Sequence, residues 1–298
     1  MEDAPHPGTA EVPHPTPAVA GRPPRVPCTT VLSPGPGVCA VCRGPAGPDR
    51  PVCFCCAAVA GALASPLAPV VPISTCRIPG PLYSVLRDYK DSPVSDARRH
   101  HGRWLSVLLS TFLAAHRSCL DELGGGRLDV TVAVPPTSRP GEAPLHALAG
   151  PAWSRGLLVR GAGLLGHLRP SVHGFEVPAG ERDAVDGTRV LLIDDTLTTG
   201  ARVQSAAAGL RSAGALAVVA VVVGRVVRPE LNPRHAAYWA RARAEEFSLG
   251  RCSIPGCPGG GTDPADPGRA ADPADPGRAA RDVSGWRPTQ GRSPACRP

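Results

Sequence analysis

The sequence is short of lysine, of aromatic residues and of long apolar runs, and each shortage excludes a class of function. Lys90 is the one lysine among 32 basic residues. Aromatic residues make up 4% of the 298-residue chain, too few for the stacking platforms that interleave with basic grooves in single-strand nucleic-acid binders. The net charge of +7 is therefore read as an arginine-rich composition, and the charge pattern does not support nucleic-acid binding. Its densest run, Arg98-Arg99-His100-His101-Gly102-Arg103, reads as a solvated helix start. The most membrane-like stretch, residues 55–73, is broken by Pro66, Pro69 and Pro72, so no spanning helix is expected there. No apolar segment follows the polar, proline-punctuated N-terminus. The expectation is a cytoplasmic protein without a membrane partner.

Proline and glycine, by contrast, are abundant, at 37 and 34 residues, and concentrated at the two ends. Residues 1–36 carry Pro-His-Pro, Pro-Thr-Pro and Arg-Pro-Pro runs and are expected to be disordered, because such a segment buries too little surface to offset its ordering. Residues 251–298 read as a second disordered tail. Within it DPADPGRAA at 263–271 is repeated letter for letter at 272–280, a nine-residue unit with no apolar face to stack. Hydrophobic residues, 42% of the chain, gather between these ends and suffice for a sizeable core.

Eleven cysteines are present, and four of them have metal-ligand spacing. Cys39-x2-Cys42 is followed by Cys53-x2-Cys56, two knuckles whose thiolates suit a tetrahedral, structural Zn2+. This defines a zinc-ribbon-like module at 37–60. Cys55 is also available, so either Cys55 or Cys56 can supply the fourth thiol. Cys252-x4-Cys257 offers two further thiols, which alone do not make a site. Cys28, Cys76, Cys119 and Cys296 are read as unpaired.

The region 80–228 has α/β patterning. Apolar positions 104, 105, 108, 109, 112 and 113 predict an amphipathic helix over 103–116. Residues 129–134 predict a short strand closed by Pro135-Pro136, and 157–168 a helix weakened by glycines. Then come a strand at 189–194, a loop to Gly200, a helix at 201–213 stopped by Gly214, and a strand at 217–223. This succession is the building block of a parallel sheet.

The twelve residues 190–201 read Val-Leu-Leu-Ile-Asp-Asp-Thr-Leu-Thr-Thr-Gly-Ala. A buried strand ends in two carboxylates, and a small hydroxyl-rich loop leads into a helix whose N-terminal N–H groups and dipole favour an anion. Gly200 lets the backbone approach that anion closely. Asp194 and Asp195 are spaced to accept hydrogen bonds from sugar hydroxyls. A receiver domain also places an acidic pair after such a strand, but it needs a later acceptor Asp and a Lys, and no lysine follows Lys90. A Walker loop needs Gly-Lys-Ser/Thr, which does not occur. Helix capping alone accounts for one Asp and not for the whole pattern.

LLIDDTLTTGA resembles the phosphoribosyl-pyrophosphate (PRPP) motif of type I phosphoribosyltransferases, and the order of CxxC…CxxC module and α/β domain resembles the competence-associated ComF family. The resemblance implies a Rossmann-like phosphoribosyltransferase domain. It implies PRPP as small-molecule substrate, Mg2+ with it, an acceptor the residues do not name, and pyrophosphate release. Asp194 and Asp195 would hold the ribose hydroxyls and stabilise a cationic sugar, while Thr196, Leu197, Thr198, Thr199 and Gly200 would hold the 5-phosphate. Arg139, in the Pro135-Pro136-Thr137-Ser138-Arg139 loop, would contact the pyrophosphate. The family's Lys-Tyr segment corresponds to Tyr89-Lys90 in reversed order. Residues 172–175 resemble the segment before a flexible lid, which would hold Arg182. The family's Arg-Gly-Phe-Asn-Gln run is replaced by Gly141-Glu142-Ala143-Pro144-Leu145. The alternative is a non-catalytic PRPP- or nucleotide-sensing protein with a partner role in DNA uptake or repair. The oligomeric state stays open.

Overall fold

The computed structural model describes residues 28–136 and 155–257. Its centre is a four-stranded parallel sheet of order β1-β6-β5-β2, formed by β1 (Val70–Arg77), β2 (Val130–Ala133), β5 (Arg189–Leu197) and β6 (Ala217–Val227). The two central strands are nearly continuous apolar runs, as expected of strands covered on both faces. Alternation along them divides the core. Leu191 and Ile193 of β5 join Val219, Val221 and Val223 of β6 on one face. Val190 and Leu192 join Val218, Ala220 and Val222 on the other. Each such side chain, fully buried, contributes about 1.5–3 kcal/mol.

The first face is covered by α2 (Pro81–Asp91), α3 (Ser95–Ala115) and α4 (Arg117–Leu123), through Leu82, Leu86, Leu105, Leu109, Phe112 and Leu120. The second face is covered by α5 (Ala201–Ser212), through Val203, Ala206, Ala207 and Leu210, and by the cysteine knuckles. Helix α1 (Phe54–Leu63) packs Val59 and Leu63 against Ala201 and Ala208 of α5. Helix α6 (Pro233–Ala244) starts at the Asn232 cap and closes a small cluster with Tyr238 and Ala242.

Four regions differ from the sequence expectation. The predicted helix at 157–168 is instead the approach to a two-stranded hairpin, β3 (Val159–Arg160) with β4 (Phe175–Glu176). Leu164, an apolar position of that pattern, is 88% exposed, and the Gly161 N–H donates to the Gly174 carbonyl across the hairpin. Residues 28–36, assigned to the disordered N-terminal stretch, are docked. Thr29 bridges Thr75 on the sheet edge, and Leu32 is buried beside Val227 and Tyr238. The open edge of β1 supplies the backbone partners that this proline-rich segment lacks internally. Residues 251–257, assigned to the tail, are also packed, with Cys252, Ile254 and Cys257 buried in the α2–α4 core. The sheet itself begins before residue 80: β1 lies between the 37–60 module and the region read as α/β, and it accommodates Pro72 because it is an edge strand.

Candidate phosphate pocket and cysteine centre

Strand alternation sends the two carboxylates of β5 to opposite sides. Asp194 faces α5, where Arg202 donates from Nε to Asp194 Oδ2 at 3.0 Å and from Nη2 to Asp194 Oδ1. Asp195 faces the end of α2, where the Tyr89 hydroxyl donates to Oδ2 at 2.7 Å and Lys90 Nζ approaches the same oxygen at 2.5 Å. Arg202 Nη2 also reaches Asp195 Oδ1 at 3.1 Å, so one guanidinium joins both acids. Both carboxylates are buried, at 1% and 3% exposure.

These surroundings split the pair. Burial pushes the Asp194 carboxyl up to about 6, helped by the neighbouring Asp195 charge and opposed by Arg202. Burial acts on Asp195 too, but Lys90 and Arg202 overcome it and hold this carboxyl well below the usual range. Burial, and then the Asp195 charge, push the Tyr89 hydroxyl far up, so it remains a hydrogen-bond donor. Divergent proton affinities in adjacent carboxylates mark functional sites more often than structural ones.

The strand expected to end at residue 194 runs on to Leu197, with Thr196 and Leu197 paired to Gly224 and Arg225 of β6, and the chain then turns through Thr198–Gly200 into α5. Gly200 has φ +89 and stands at the N-cap without a side-chain cap bond, so the helix entrance relies on a conformation open to glycine. The Thr199 hydroxyl donates to the His167 carbonyl and accepts from the Ala201 N–H at 3.4 Å. Together the loop, Asp194, Asp195, Lys90, Arg202, Gly166 and His167 line a cavity of about 280 Å³. His167 Nε2 is buried there with no hydrogen-bond partner among the described residues. The arrangement brings an anion-favouring helix terminus, two cations and two carboxylates to one cavity. With Arg202 and Lys90 already matching both acids, the pair does not fit a resident Mg2+.

The cysteine knuckles lie behind this loop. The ligand atoms of Cys39, Cys42, Cys53 and Cys56 lie within 4.8 Å of one another, and all four residues are buried. Cys42 and Cys53 sulfurs are 3.7 Å apart, close to the edge of about 3.8 Å that a tetrahedron with bonds of about 2.3 Å requires. Backbone N–H groups of Cys53 and Cys56 donate to the Cys39 and Cys53 sulfurs, and the turn into α1 brings Cys56 into the group rather than Cys55. The set can hold a structural zinc ion.

Arg225 of β6 joins the two sites. It is 5% exposed, and its Nη1 donates to the carbonyls of Leu197 at 3.2 Å and Thr198 at 2.8 Å. Burial opposes its charge, but Cys42, Cys53 and Cys56 outweigh that and raise its proton affinity. Gly44 admits it: a Cβ there would lie 2.3 Å from Arg225 Nη2. One buried guanidinium thus holds the turn before α5 from behind and faces the thiols.

Sequence reasoning located the acids, the loop and the knuckles. Tyr89 and Lys90, matched in sequence only to a family segment, are brought to Asp195 by the fold. Arg202, His167 and Arg225 were missed; Arg202, eight residues beyond Asp194 on the first turn of α5, had a readable signal in its position. Arg139 and residues 141–145 lie outside the described residues. Phe175 is a buried hairpin residue, and Arg182 sits in an exposed 3-10 helix, Ala179–Ala184, away from the cavity lining. Cys119 is not alone: its sulfur lies 3.1 Å from that of Cys257. Among the described residues no helix is long and apolar enough to cross a membrane. Compared with known proteins, the chain matches no protein-family model, and no curated protein matches it.

Proposed function

We propose that this chain binds PRPP in the β5–α5 cavity and transfers its phosphoribosyl group to a nucleophilic acceptor with release of pyrophosphate. The observation that carries the reading is the turn Thr198–Gly200, which delivers a positive-φ glycine and a helix N-terminus to a cavity walled by Asp194 and Asp195. The likeness of residues 191–201 to the type I phosphoribosyltransferase motif, and of the domain order to the ComF family, supports it.

In this reading the loop N–H groups and the α5 dipole hold the 5-phosphate, and His167 Nε2 faces the same anion. Ribose hydroxyls donate to Asp194 and Asp195, taking over positions now held by Arg202 and Lys90. Those two cations then turn to the pyrophosphate, which carries its Mg2+ as part of the substrate. As the C1–O bond to pyrophosphate breaks, an acceptor lone pair forms the new bond at C1 and the acceptor's proton leaves to solvent. Positive charge on the sugar is stabilised by the nearby carboxylates.

The ion pairs of Arg202 and Lys90 with both acids favour a second reading, a protein that binds PRPP without turnover. Pyrophosphate release from PRPP and Mg2+, measured across a panel of bases and amines, separates the two. Release that falls about 100-fold or more in Asp195→Asn supports transfer. PRPP binding by calorimetry without release supports sensing, and absence of binding overturns both.

A further inference from the structure

We infer that His116, Cys119, Cys252 and Cys257 form a second zinc centre, a closed Cys3His site that clasps the chain after α6 onto the junction of α3 and α4. The four residues come from two segments far apart in sequence. His116 ends α3 and opens α4, where the chain leaves helical geometry. Cys119 follows three residues later, and the Leu120 N–H bond to the His116 carbonyl keeps both on one helical face. Cys252 and Cys257 lie on a turn in which the Cys257 N–H donates to the Ile254 carbonyl.

Their ligand atoms all lie within 4.8 Å of one another, and exposures are 2%, 4%, 8% and 6%. The four ligand atoms are close enough for one ion to reach them all after the sulfurs spread slightly. Cys257 Sγ stands 3.5 Å from His116 Nδ1 and 3.1 Å from Cys119 Sγ. That sulfur separation is far longer than a disulfide bond of about 2.05 Å. A Cys119–Cys257 disulfide would also leave unexplained why Cys252 and an imidazole nitrogen converge on the same point.

The histidine supplies an independent sign. Its other nitrogen, Nε2, is 2.8 Å from the Leu249 carbonyl. Nε2 therefore carries the proton, and Nδ1 turns its lone pair to the thiols. A backbone carbonyl fixing the tautomer in this way is the usual outer support of a metal-bound histidine. Three sulfurs and one nitrogen select zinc over magnesium or calcium, and four protein ligands leave no open position for chemistry.

The clasp has a mechanical consequence. Its segment carries Phe247, Leu249 and Ile254 against the α2–α4 core, and the Ser253 carbonyl accepts from Arg43 Nε at 3.2 Å. Arg43 belongs to the first knuckle, so the segment bridges the two centres.

Metal content of the full chain, purified with zinc and counted by native mass spectrometry, tests the site. Two zinc ions per chain are expected, falling to one in Cys119→Ser/Cys257→Ser and to one in Cys39→Ser/Cys42→Ser. A single ion in the wild type, lost in the second variant, overturns the inference. Should either variant fail to fold, alkylation of the wild type decides. Cys119, Cys252 and Cys257 should resist iodoacetamide until a chelator is added. Labelling that ignores the chelator, or a Cys119–Cys257 peptide pair two hydrogens lighter than the dithiol, overturns it. His116→Cys should keep two ions, whereas a merely packed histidine would make that change neutral only by chance and leave His116→Ala at two as well.

Discussion

The two faces of the sheet each bury a group of four sulfur or nitrogen ligands, and they reach it by opposite routes. On the α5 face, Cys39 and Cys53 are 14 residues apart, and two tight knuckles carry all four thiols. On the α2–α4 face, Cys119 and Cys257 are 138 residues apart. Closing the longer loop costs about 2 kcal/mol more in chain entropy. The first group can therefore organise locally, whereas the second waits for sheet and helices to bring its halves together. The faces also differ in reach. The first is tied through Arg225 to the turn before α5, and the second ends in the segment after α6.

The largest effect that can break this comparison is expected from Cys39→Ser/Cys42→Ser. Losing the metal and leaving Arg225 as a buried charge without its thiolates should cost about 5 kcal/mol or more, read from urea unfolding. PRPP affinity should fall with it. A loss below about 1 kcal/mol would mean that the knuckles do not support the loop. Cys252→Ser should cost less, about 2–4 kcal/mol if the clasp acts like other long cross-links. Hydrogen exchange should rise around 116–120 and 247–257, with PRPP affinity unchanged; a weakened affinity would show that the second face also reaches the pocket.

Asp194 sharpens the comparison through pH. Its carboxyl is raised from 3.8 to about 6 in the fold, so between those values the native state binds more protons than the unfolded state. Stability should therefore fall as pH rises from about 4 to about 6, by about 2 kcal/mol, and level off above. Asp195 is shifted downward, so its contribution is present above about pH 4 and lost only at lower pH. Unfolding midpoints across pH 4–7 should show the Asp194 slope in the wild type and not in Asp194→Asn. A slope that persists in the variant would assign it elsewhere. The smallest effect is expected from Gly200→Ala. At φ +89 the new Cβ should cost about 1 kcal/mol, with weaker PRPP binding measured by calorimetry.

The legible parts were those in which neighbours in sequence are neighbours in space. The strand carrying Asp194 and Asp195, the turn to Gly200 and the four knuckle cysteines needed no distant partner to be recognised, although the strand runs to Leu197 rather than stopping at the acids. Arg202 sat within the same local run and was passed over because a helix-start arginine is ordinarily solvated. His167 could not be assigned, because the apolar pattern around it suggested a helix where the chain forms a hairpin approach. Cys119 and Cys257 looked unrelated for the same reason that they now matter: the sheet had to fold before α4 and the C-terminal segment could meet.

The chain by itself determined the local chemistry, namely an acidic pair and a glycine turn at a helix entrance, two thiol knuckles, and alternating apolar strands able to bury both faces. Tertiary structure alone decided which charge neutralises which carboxylate, that Arg225 joins loop to knuckles, and that His116 and three cysteines share a centre. Short-range spacing fixes turns and knuckles through backbone geometry. Contacts across more than a hundred residues depend on a core whose packing no local pattern encodes.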